Sequence, residues 1–478
     1  MRRAYHVDEI RRAEADLMAR LPDGALMQRA AAGLAAVAAR ILRDSGGVYG
    51  ARVALLVGVG DNGGDALYAG AGLARRGARV RAVLLDETRV HAGGLAALVE
   101  AGGRTADETA LDDAELIIDG MLGIGGHGGL RGRAAQLARA AADAAAAVLA
   151  VDLPSGIDAD SGQVAGTCVR ADATVTFGAY KPGLLIDPAA EHAGVVELVD
   201  IGLSALPEHA AVEALQAADV AGLLPRPSHA TDKYLRGVVG VACGSVDYPG
   251  AGMLAVGGAL RGGVGAVRYS GPRQVGEEIL RRWPEVLVEA ELPSAAGRVQ
   301  AWVCGSGLPA DDEYAAQRTK QVVDSALPAV LDAGALTYLD DLDLGEHIVL
   351  TPHAGEAARL LGVERAQVEA NRLDFVRGLA AELGATVLLK GSTTLIAEPG
   401  GGAVRANPTG TAALATAGSG DVLAGLIGAL LAAGLRPLDA ASVGAYMHGL
   451  AGRLARREGP IAAGDLLASL PRAWHNLQ

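Results

Sequence analysis

Cysteine is nearly absent. Only Cys168, Cys243 and Cys304 occur in 478 residues, far apart and without CxxC spacing. That excludes a disulfide framework and a cysteine zinc site, and it fits a reducing compartment, expected to be the cytoplasm. Aromatic residues supply only 3% of the chain, so a core has to be assembled from Ala, Leu and Val. Basic charge is in deficit: 42 Lys and Arg stand against 55 Asp and Glu, a net charge of −13. A nucleic-acid or acidic-membrane binder would leave the opposite footprint. Small anions are not excluded, because backbone N–H groups hold them without surplus Lys or Arg. Long hydrophobic runs are missing as well. The longest uncharged apolar stretch, Val422 to Leu435, is about 14 residues between Asp421 and Arg436, against the ~20 that a membrane span needs. Asp8, Glu9 and Glu14 precede any apolar run, so no signal peptide is expected. The expectation is a soluble chain with no membrane and no nucleic-acid partner.

What is present is glycine, with 67 residues, and apolar side chains, with 50% of the chain. The length exceeds one ordinary domain of ~100–200 residues. Two segments each alternate apolar runs with helical stretches, the pattern of an α/β fold built on a parallel sheet. In the first, an Ala-rich helical region (Asp8 to Arg43) precedes Val53-Ala54-Leu55-Leu56-Val57-Gly58, a continuous apolar run expected of a strand buried on both faces. A glycine loop, a helix to Arg76 with Gly77 as its stop, and a strand Val80 to Leu85 complete a βαβ unit. Leu116–Ile118 and Val148–Val151 are further strands. Prolines and turn residues gather between Leu203 and Thr231 (Leu206-Pro207, Leu224-Pro225-Arg226-Pro227, Ser228-His229), so the domain boundary is placed near residue 217, giving domains 1–216 and 217–478. The second segment restarts at Gly237–Ala242 and continues with strands at Ala301–Cys304, His347–Leu350 and Thr386–Leu389.

In the first domain the opening strand runs into Gly58-Val59-Gly60-Asp61-Asn62-Gly63-Gly64-Asp65. Glycines there let the chain turn sharply and bring N–H groups to a bound phosphate at the start of the next helix. Asp119 follows a second strand and leads into Gly120 to Gly129; Asp152 follows a third and leads into Leu153-Pro154-Ser155-Gly156-Ile157-Asp158. In an open parallel sheet such strand ends face one crevice, where ligands bind. Carboxylates gathered there repel one another unless a cation sits among them or one is protonated, and both outcomes suit a site. Each Asp taken alone is accounted for equally well as a helix cap.

These loops resemble the NAD(P)H-hydrate epimerase domain, as do Phe177-Gly178-Ala179-Tyr180-Lys181-Pro182-Gly183 and Val199-Asp200-Ile201-Gly202-Leu203. The resemblance implies a Rossmann-like three-layer α/β/α domain that interconverts the R and S forms of hydrated NADH or NADPH. Carried over position by position, it implies potassium on Asn62, Asp119 and Ser155, and Asp152 as acid/base. It also places the dinucleotide phosphates on Asp61, Asn62, Gly63, Gly64, Asp65 and on Gly123, Ile124, Gly125, Gly126, His127, Gly128 and Gly129. Asp61 and Ile124 stand where the family usually has Asn and Thr.

In the second domain, Thr416-Ala417-Gly418-Ser419-Gly420-Asp421 runs into a helix that is apolar almost all round and therefore buried. Its fixed N-terminus stabilises charge developing on a transferring phosphoryl group, and Asp421 is placed to accept a proton from an attacking hydroxyl. Leu389-Lys390-Gly391-Ser392-Thr393-Thr394, Thr351-Pro352-His353-Ala354-Gly355-Glu356 and Cys304-Gly305-Ser306-Gly307-Leu308 each end a strand. Together with Gly250-Ala251-Gly252, Asn407-Pro408-Thr409-Gly410 and Tyr446-Met447-His448-Gly449, they resemble the ADP-dependent NAD(P)H-hydrate dehydratase branch of the ribokinase-like superfamily. The resemblance implies a ribokinase-like α/β domain that phosphorylates the S hydrate with ADP and releases AMP, phosphate and NAD(P)H. It places the hydrate on Ala251, Gly307, His353 and Asp421, with Asp421 as base. The adenine nucleotide falls on Lys390, Gly391, Ser392, Thr393, Thr394 and Gly420, with magnesium as cofactor and a homo-oligomeric assembly. Pro309, Ala354 and Gly334 depart from the family pattern. Two rival readings are a ribokinase-like small-molecule kinase with an accessory first domain, and a first domain that is a catalytically silent binding module.

Overall fold

A computed structural model describes residues 1–226, 232–340 and 342–477. Pro227, Ser228, His229 and Thr231 of the proline-rich stretch lie outside the described residues. The chain divides into two compact units, Arg3–Val212 and Glu213–Gln478, with Met1–Arg2 grouped with the second. The Met1 ammonium pairs with Asp219 there.

The strands in chain order are β1 (Arg2–Ala4), β2 (Arg52–Val57), β3 (Arg79–Leu84), β4 (Arg104–Ala106), β5 (Leu116–Gly120), β6 (Ala147–Val151), β7 (Ala173–Phe177) and β8 (Val195–Val199). In the N-terminal unit β2 to β8 form a seven-stranded sheet of order β4-β3-β2-β5-β6-β7-β8, and every pair is parallel. Side-chain alternation separates two cores. Val53, Leu55 and Val57 pack with helices Ala25–Asp44 and Asp61–Arg75, whereas Ala54 and Leu56 pack with helix Gly132–Asp143. The sheet is thus sandwiched between helical layers, which is why its strands read as continuous apolar runs. The Ala-rich N-terminal helical region comprises two helices, Val7–Met18 and Ala25–Asp44. Pro22 and Gly24, whose φ is 74°, separate them.

Helix Ala25–Asp44 is also long and apolar enough to cross a membrane by length and composition, which a search for uncharged runs overlooks because Arg29 and Arg40 interrupt it. One of its faces, including Leu34, Val37, Ala38 and Leu42, packs into the core of the unit.

The C-terminal unit adds β9 (Val212–Ala214), β10 (Val238–Ala242), β11 (Ala266–Ser270), β12 (Leu287–Ala290), β13 (Ala301–Cys304), β14 (Ala329–Leu331), β15 (Ile348–Leu350), β16 (Thr386–Leu389), β17 (Thr394–Ala397) and β18 (Val404–Asn407). Their order is β9-β18-β17-β16-β15-β14-β13-β10-β11-β12. The run from β12 to β16 is parallel, and β16-β17-β18 is antiparallel. Helix Ser419–Ala432 is buried from Val422 to Ala432 and packs on helix Pro249–Arg261. Glycines permit that approach: a Cβ on Gly425 would sit 2.0 Å from the Ala255 carbonyl oxygen, and one on Gly258 2.3 Å from that of Val422.

Strand order reverses between β2 and β5 in one sheet and between β10 and β13 in the other. Chain departing in opposite directions leaves a crevice beyond those carboxyl ends, the place where open α/β sheets bind ligands. The predicted loops are there.

Candidate active sites

In the N-terminal unit, the Gly58 N–H donates to the Gly120 carbonyl at 3.0 Å, joining the loops that leave β2 and β5. Any side chain on Gly58 would overlap Met121. Asn62, in the first turn of helix Asp61–Arg75, donates from Nδ2 to the Val151 carbonyl at 2.8 Å, while its Oδ1 faces Gly123. Asp119 is fully buried. Its carboxylate accepts from the Ser155 N–H at 2.8 Å, the Ser155 hydroxyl at 2.7 Å and the Met121 N–H at 3.2 Å. Burial pushes Asp119 up to about 6, against the pull of these donors. Ser155 Oγ in turn accepts from the Leu122 N–H at 2.9 Å. Asn62, Asp119 and Ser155 thus converge on the loop Leu122–Gly123, an oxygen-rich environment suited to a hard monovalent cation.

Asp152 is a short step along the same rim. It is one of few non-glycine residues at positive φ, 64°. Its Oδ1 accepts from the Thr176 hydroxyl at 3.1 Å and the Phe177 N–H at 3.2 Å, and it is paired with the Lys181 ammonium. Lys181, 1% exposed, also donates to Thr176 Oγ1 at 2.9 Å and the Phe177 carbonyl at 3.1 Å. Sequence reasoning quoted Lys181 without giving it a role.

Asp65 is buried with its Oδ1 unpartnered. Burial, and then the charges of Asp152, Asp61 and Glu14, raise it well above the ordinary carboxyl range. Burial likewise raises Glu14, which faces Lys181 and Asp152. Backbone N–H groups at the start of helix Asp61–Arg75 are the part of this loop best suited to an anion. His127 is exposed and faces Asp158 at 3.5 Å. Ile124 packs with Leu153 and Ile157, and Gly129 lies against Gly166.

In the C-terminal unit, Gly244 N–H donates to the Ser306 carbonyl at 2.7 Å across the β10/β13 crevice. A Cβ on Gly307, at φ 71°, would come within 2.6 Å of Ala251 Cβ, so these two predicted contacts are neighbours. Asp332, buried at the end of β14, accepts from Thr351 Oγ1 at 2.7 Å, Lys390 Nζ at 2.8 Å and Ser306 Oγ at 3.1 Å. Burial would raise it; Lys390 and the Thr351 and Ser306 hydroxyls hold it below the usual range instead. Lys390 is therefore an internal cation, with the Glu356 carboxylate 3.8 Å away as a second partner. A bridge pairs His353 with Lys390, so those strand ends lie side by side.

Helix Ser419–Ala432 points its N-terminus at this cluster. Gly418 caps it in the left-handed conformation, φ 84°, with no side-chain cap. Space above Gly420 is bordered by Lys390 Nζ at 3.6 Å and Asp332 Oδ2 at 3.8 Å from a would-be Cβ. His448 donates from Nε2 to the Ser419 carbonyl at 2.9 Å, and burial lowers it to about 4, so it stays neutral. Asp421 is pushed up to about 7 by burial and by the charge of Asp332, opposed by hydrogen bonding from Ser306 and by Lys390. A carboxyl near neutrality beside a helix N-terminus can take a proton while the helix and Lys390 receive negative charge.

Some predicted contacts have structural duties. His353 caps helix Ala354–Leu361, its Nδ1 accepting from Gly355 N–H at 3.0 Å and Glu356 N–H at 3.1 Å. Thr394 is buried in β17 with its hydroxyl on the Gly391 carbonyl at 3.3 Å, while Gly391 and Ser392 are exposed. A cavity of about 610 Å³ lined by Arg226, Arg236, Arg261 and Trp474 includes none of these residues and no carboxylate, so the chemistry lies elsewhere.

A family model described as the N-terminus of YjeF-related proteins matches residues 23–183, and one described as NAD(P)H-hydrate dehydratase matches residues 239–472. A bifunctional NAD(P)H-hydrate repair enzyme of Mycobacterium tuberculosis is 49% identical over 92% of this chain and 92% of its own. Its counterpart in Moorella thermoacetica is 36% identical over 96% and 93%. The crystal structure of an ADP/ATP-dependent NAD(P)H-hydrate dehydratase from Bacillus subtilis, co-crystallised with ATP and Mg2+, is 30% identical. It has a TM-score of 0.51 and covers 56% of this chain and 99% of that one. A ribokinase-like superfamily protein from Enterococcus faecalis, 24% identical with a TM-score of 0.51 over 56% and 96% of the two chains, shares the fold. With both halves matched in order along one polypeptide, the chain belongs to the family of bifunctional NAD(P)H-hydrate repair enzymes.

Proposed function

We propose that the two units carry successive steps of one repair. The N-terminal unit interconverts R- and S-NAD(P)H hydrate, and the C-terminal unit converts the S form to NAD(P)H at the expense of ADP. The observation that carries this reading is the convergence, at one helix N-terminus, of Asp421 with the Asp332–Lys390 pair. Asp421 takes the proton of the hydrate's hydroxyl as that oxygen bonds the terminal phosphorus of the nucleotide. The bond from phosphorus to the departing AMP breaks, and Lys390 and the Gly418–Gly420 N–H groups meet the charge. Phosphate then leaves carbon with its electron pair, a ring proton departs from the neighbouring carbon, and the dihydronicotinamide double bond returns.

No group of three or more His, Cys, Asp or Glu side chains able to hold a metal exists among the described residues, so magnesium would be carried in on the nucleotide phosphates. Potassium fits Asn62, Asp119 and Ser155, where its charge would offset the buried carboxyl. Asp152, oriented by Lys181 and Thr176, moves the proton in epimerisation, beside Asp65, whose carboxyl is raised by burial and then by the neighbouring carboxylates. We also propose a cytoplasmic location, on the scarcity of cysteine, and a homo-oligomer, on the family resemblance alone.

The test is incubation of mixed hydrate epimers with ADP or ATP. Full recovery of dihydronicotinamide absorbance with one inorganic phosphate per turnover supports the reading. Recovery that stops at the S form refutes the epimerase half, and a stable phosphate ester refutes the dehydratase half.

A further inference from the structure

Two arginines are buried behind the crevice of the C-terminal unit, Arg318 at 1% and Arg372 at 6% exposure. Both direct their donors at backbone carbonyls of the loops that carry the proposed substrate contacts. Arg318, on helix Glu313–Asp324, donates from Nη1 to the Gly244 carbonyl at 3.0 Å and from Nη2 to the Ser270 carbonyl at 2.7 Å. It therefore ties the end of β11 to the turn after β10. Gly244 in turn donates to the Ser306 carbonyl, and a Cβ on Gly307 would lie 3.2 Å from Gly244 Cα. The turn that Arg318 holds is thus the surface against which Gly307 rests, with Ala251 beside it.

Arg372 opens helix Arg372–Leu383. The helix dipole disfavours a cation in the first turn, so its place there needs another reason, and the loop after β16 gives one. Its Nη2 donates to the carbonyls of Leu389 and Lys390 at 3.1 Å each and of Thr393 at 3.3 Å. A Cβ on Gly391 would fall 2.4 Å from that same nitrogen, so the loop is wrapped closely on the guanidinium. A trans peptide unit points its C=O and N–H in opposite directions. With the Gly244 and Lys390 carbonyls turned to the arginines, the N–H groups of Ser245 and Gly391 are turned away from them.

Resting on the proposed placement of hydrate and nucleotide, we propose that Arg318 and Arg372 are positioning residues, one for each substrate of the dehydration. Arg318 sets the hydrate side of the crevice and Arg372 the nucleotide side, each through the backbone it holds. The guanidinium fork lets one side chain hold two or more carbonyls at once. A lysine ammonium in its place is a compact point charge without that fork.

The experiment is calorimetric titration of the full chain with ADP and Mg2+, together with KM for the S hydrate from dihydronicotinamide absorbance. The variants are Arg318→Met, Arg372→Met, Arg318→Lys and Arg372→Lys. Arg372→Met should weaken ADP binding roughly 10- to 100-fold and leave KM for the hydrate within about twofold; Arg318→Met should do the reverse. Lysine should restore part of each loss. Kd and KM do not depend on the fraction of folded enzyme, so a split between the two ligands separates positioning from a general loss of structure. If a methionine variant does not accumulate, its lysine variant carries the same split at smaller size. Both constants moving together in one variant, or neither moving, overturns the inference. A parent enzyme that binds ADP but restores no absorbance overturns the dehydratase reading, while ADP titration of the Arg372 and Arg318 variants still decides whether the arginines act separately.

Discussion

Lys181 and Asp152 form an ion pair inside the N-terminal unit, their side chains 1% and 9% exposed. A buried charge that loses its partner is costly, typically ~3–5 kcal/mol. Lys181→Met should therefore destabilise this unit by about that much, and Lys181→Met combined with Asp152→Asn should recover most of the loss. Denaturant titration of the two variants and the double variant measures it; R/S interconversion should be lost in all three.

Potassium should stabilise the N-terminal unit and lithium should not, because Asn62, Asp119 and Ser155 offer a site for a large monovalent ion. At a hundredfold excess over Kd the gain is ~2.7 kcal/mol. Asp119→Asn should remove the difference between the two salts in a thermal melt.

Asp421 ties pH to rate and to stability with opposite signs. Dehydration requires its ionised form, so kcat should rise through about pH 7 and level off above it. Its folded value lies above the ordinary 3.8, so its contribution to stability is fully present below about pH 4 and lost as pH rises through 7. Asp421→Asn should stop ADP-driven repair while leaving R/S interconversion, and at pH 8 it should stabilise the C-terminal unit. The gain is under ~4 kcal/mol, since partial exposure softens the penalty. Calorimetry at pH 4 and 8 tests the sign.

Gly425→Ala should lower the melting temperature of the C-terminal unit, since the added methyl would overlap the Ala255 carbonyl. Overpacking of this kind costs ~1–3 kcal/mol or more. An unchanged melt would mean that the two helices are not in close contact.

His353 has a cap to lose as well as a ligand. His353→Ala should cost about 1 kcal/mol, whereas His353→Asn keeps a capping acceptor. If both variants raise KM for the hydrate equally, the imidazole contacts substrate; if only the alanine variant does, its role is the cap.

The strands, the glycine loops and the carboxylates beyond them were legible in the sequence because each is a local signal: an apolar run, a turn, an acid at its end. Lys181 and Asp332 were not. Their partners lie 29 and 58 residues away, so only strand order brings Lys181 to Asp152 and Lys390 to Asp332. Lys181 lies within the segment Phe177 to Gly183, and a lone Lys in an apolar run is the only local hint of its role. Within the first helical region, Pro22 and Gly24 are the local signals that mark its division into two helices. At His353 the sequence does not separate a cap from a ligand, because a capping imidazole and a binding one carry the same local pattern.

The left-handed backbone at Asp152 also limits how this position can drift. β-Branched and bulky residues are disfavoured at such an angle, while Asp, Asn and Gly are tolerated. A saturation library at this codon should therefore sort into three tiers: aspartate active, asparagine and glycine folded but idle, and valine or isoleucine depleted for failure to accumulate. The geometry of one peptide unit would thus restrict the site's variation before chemistry is consulted.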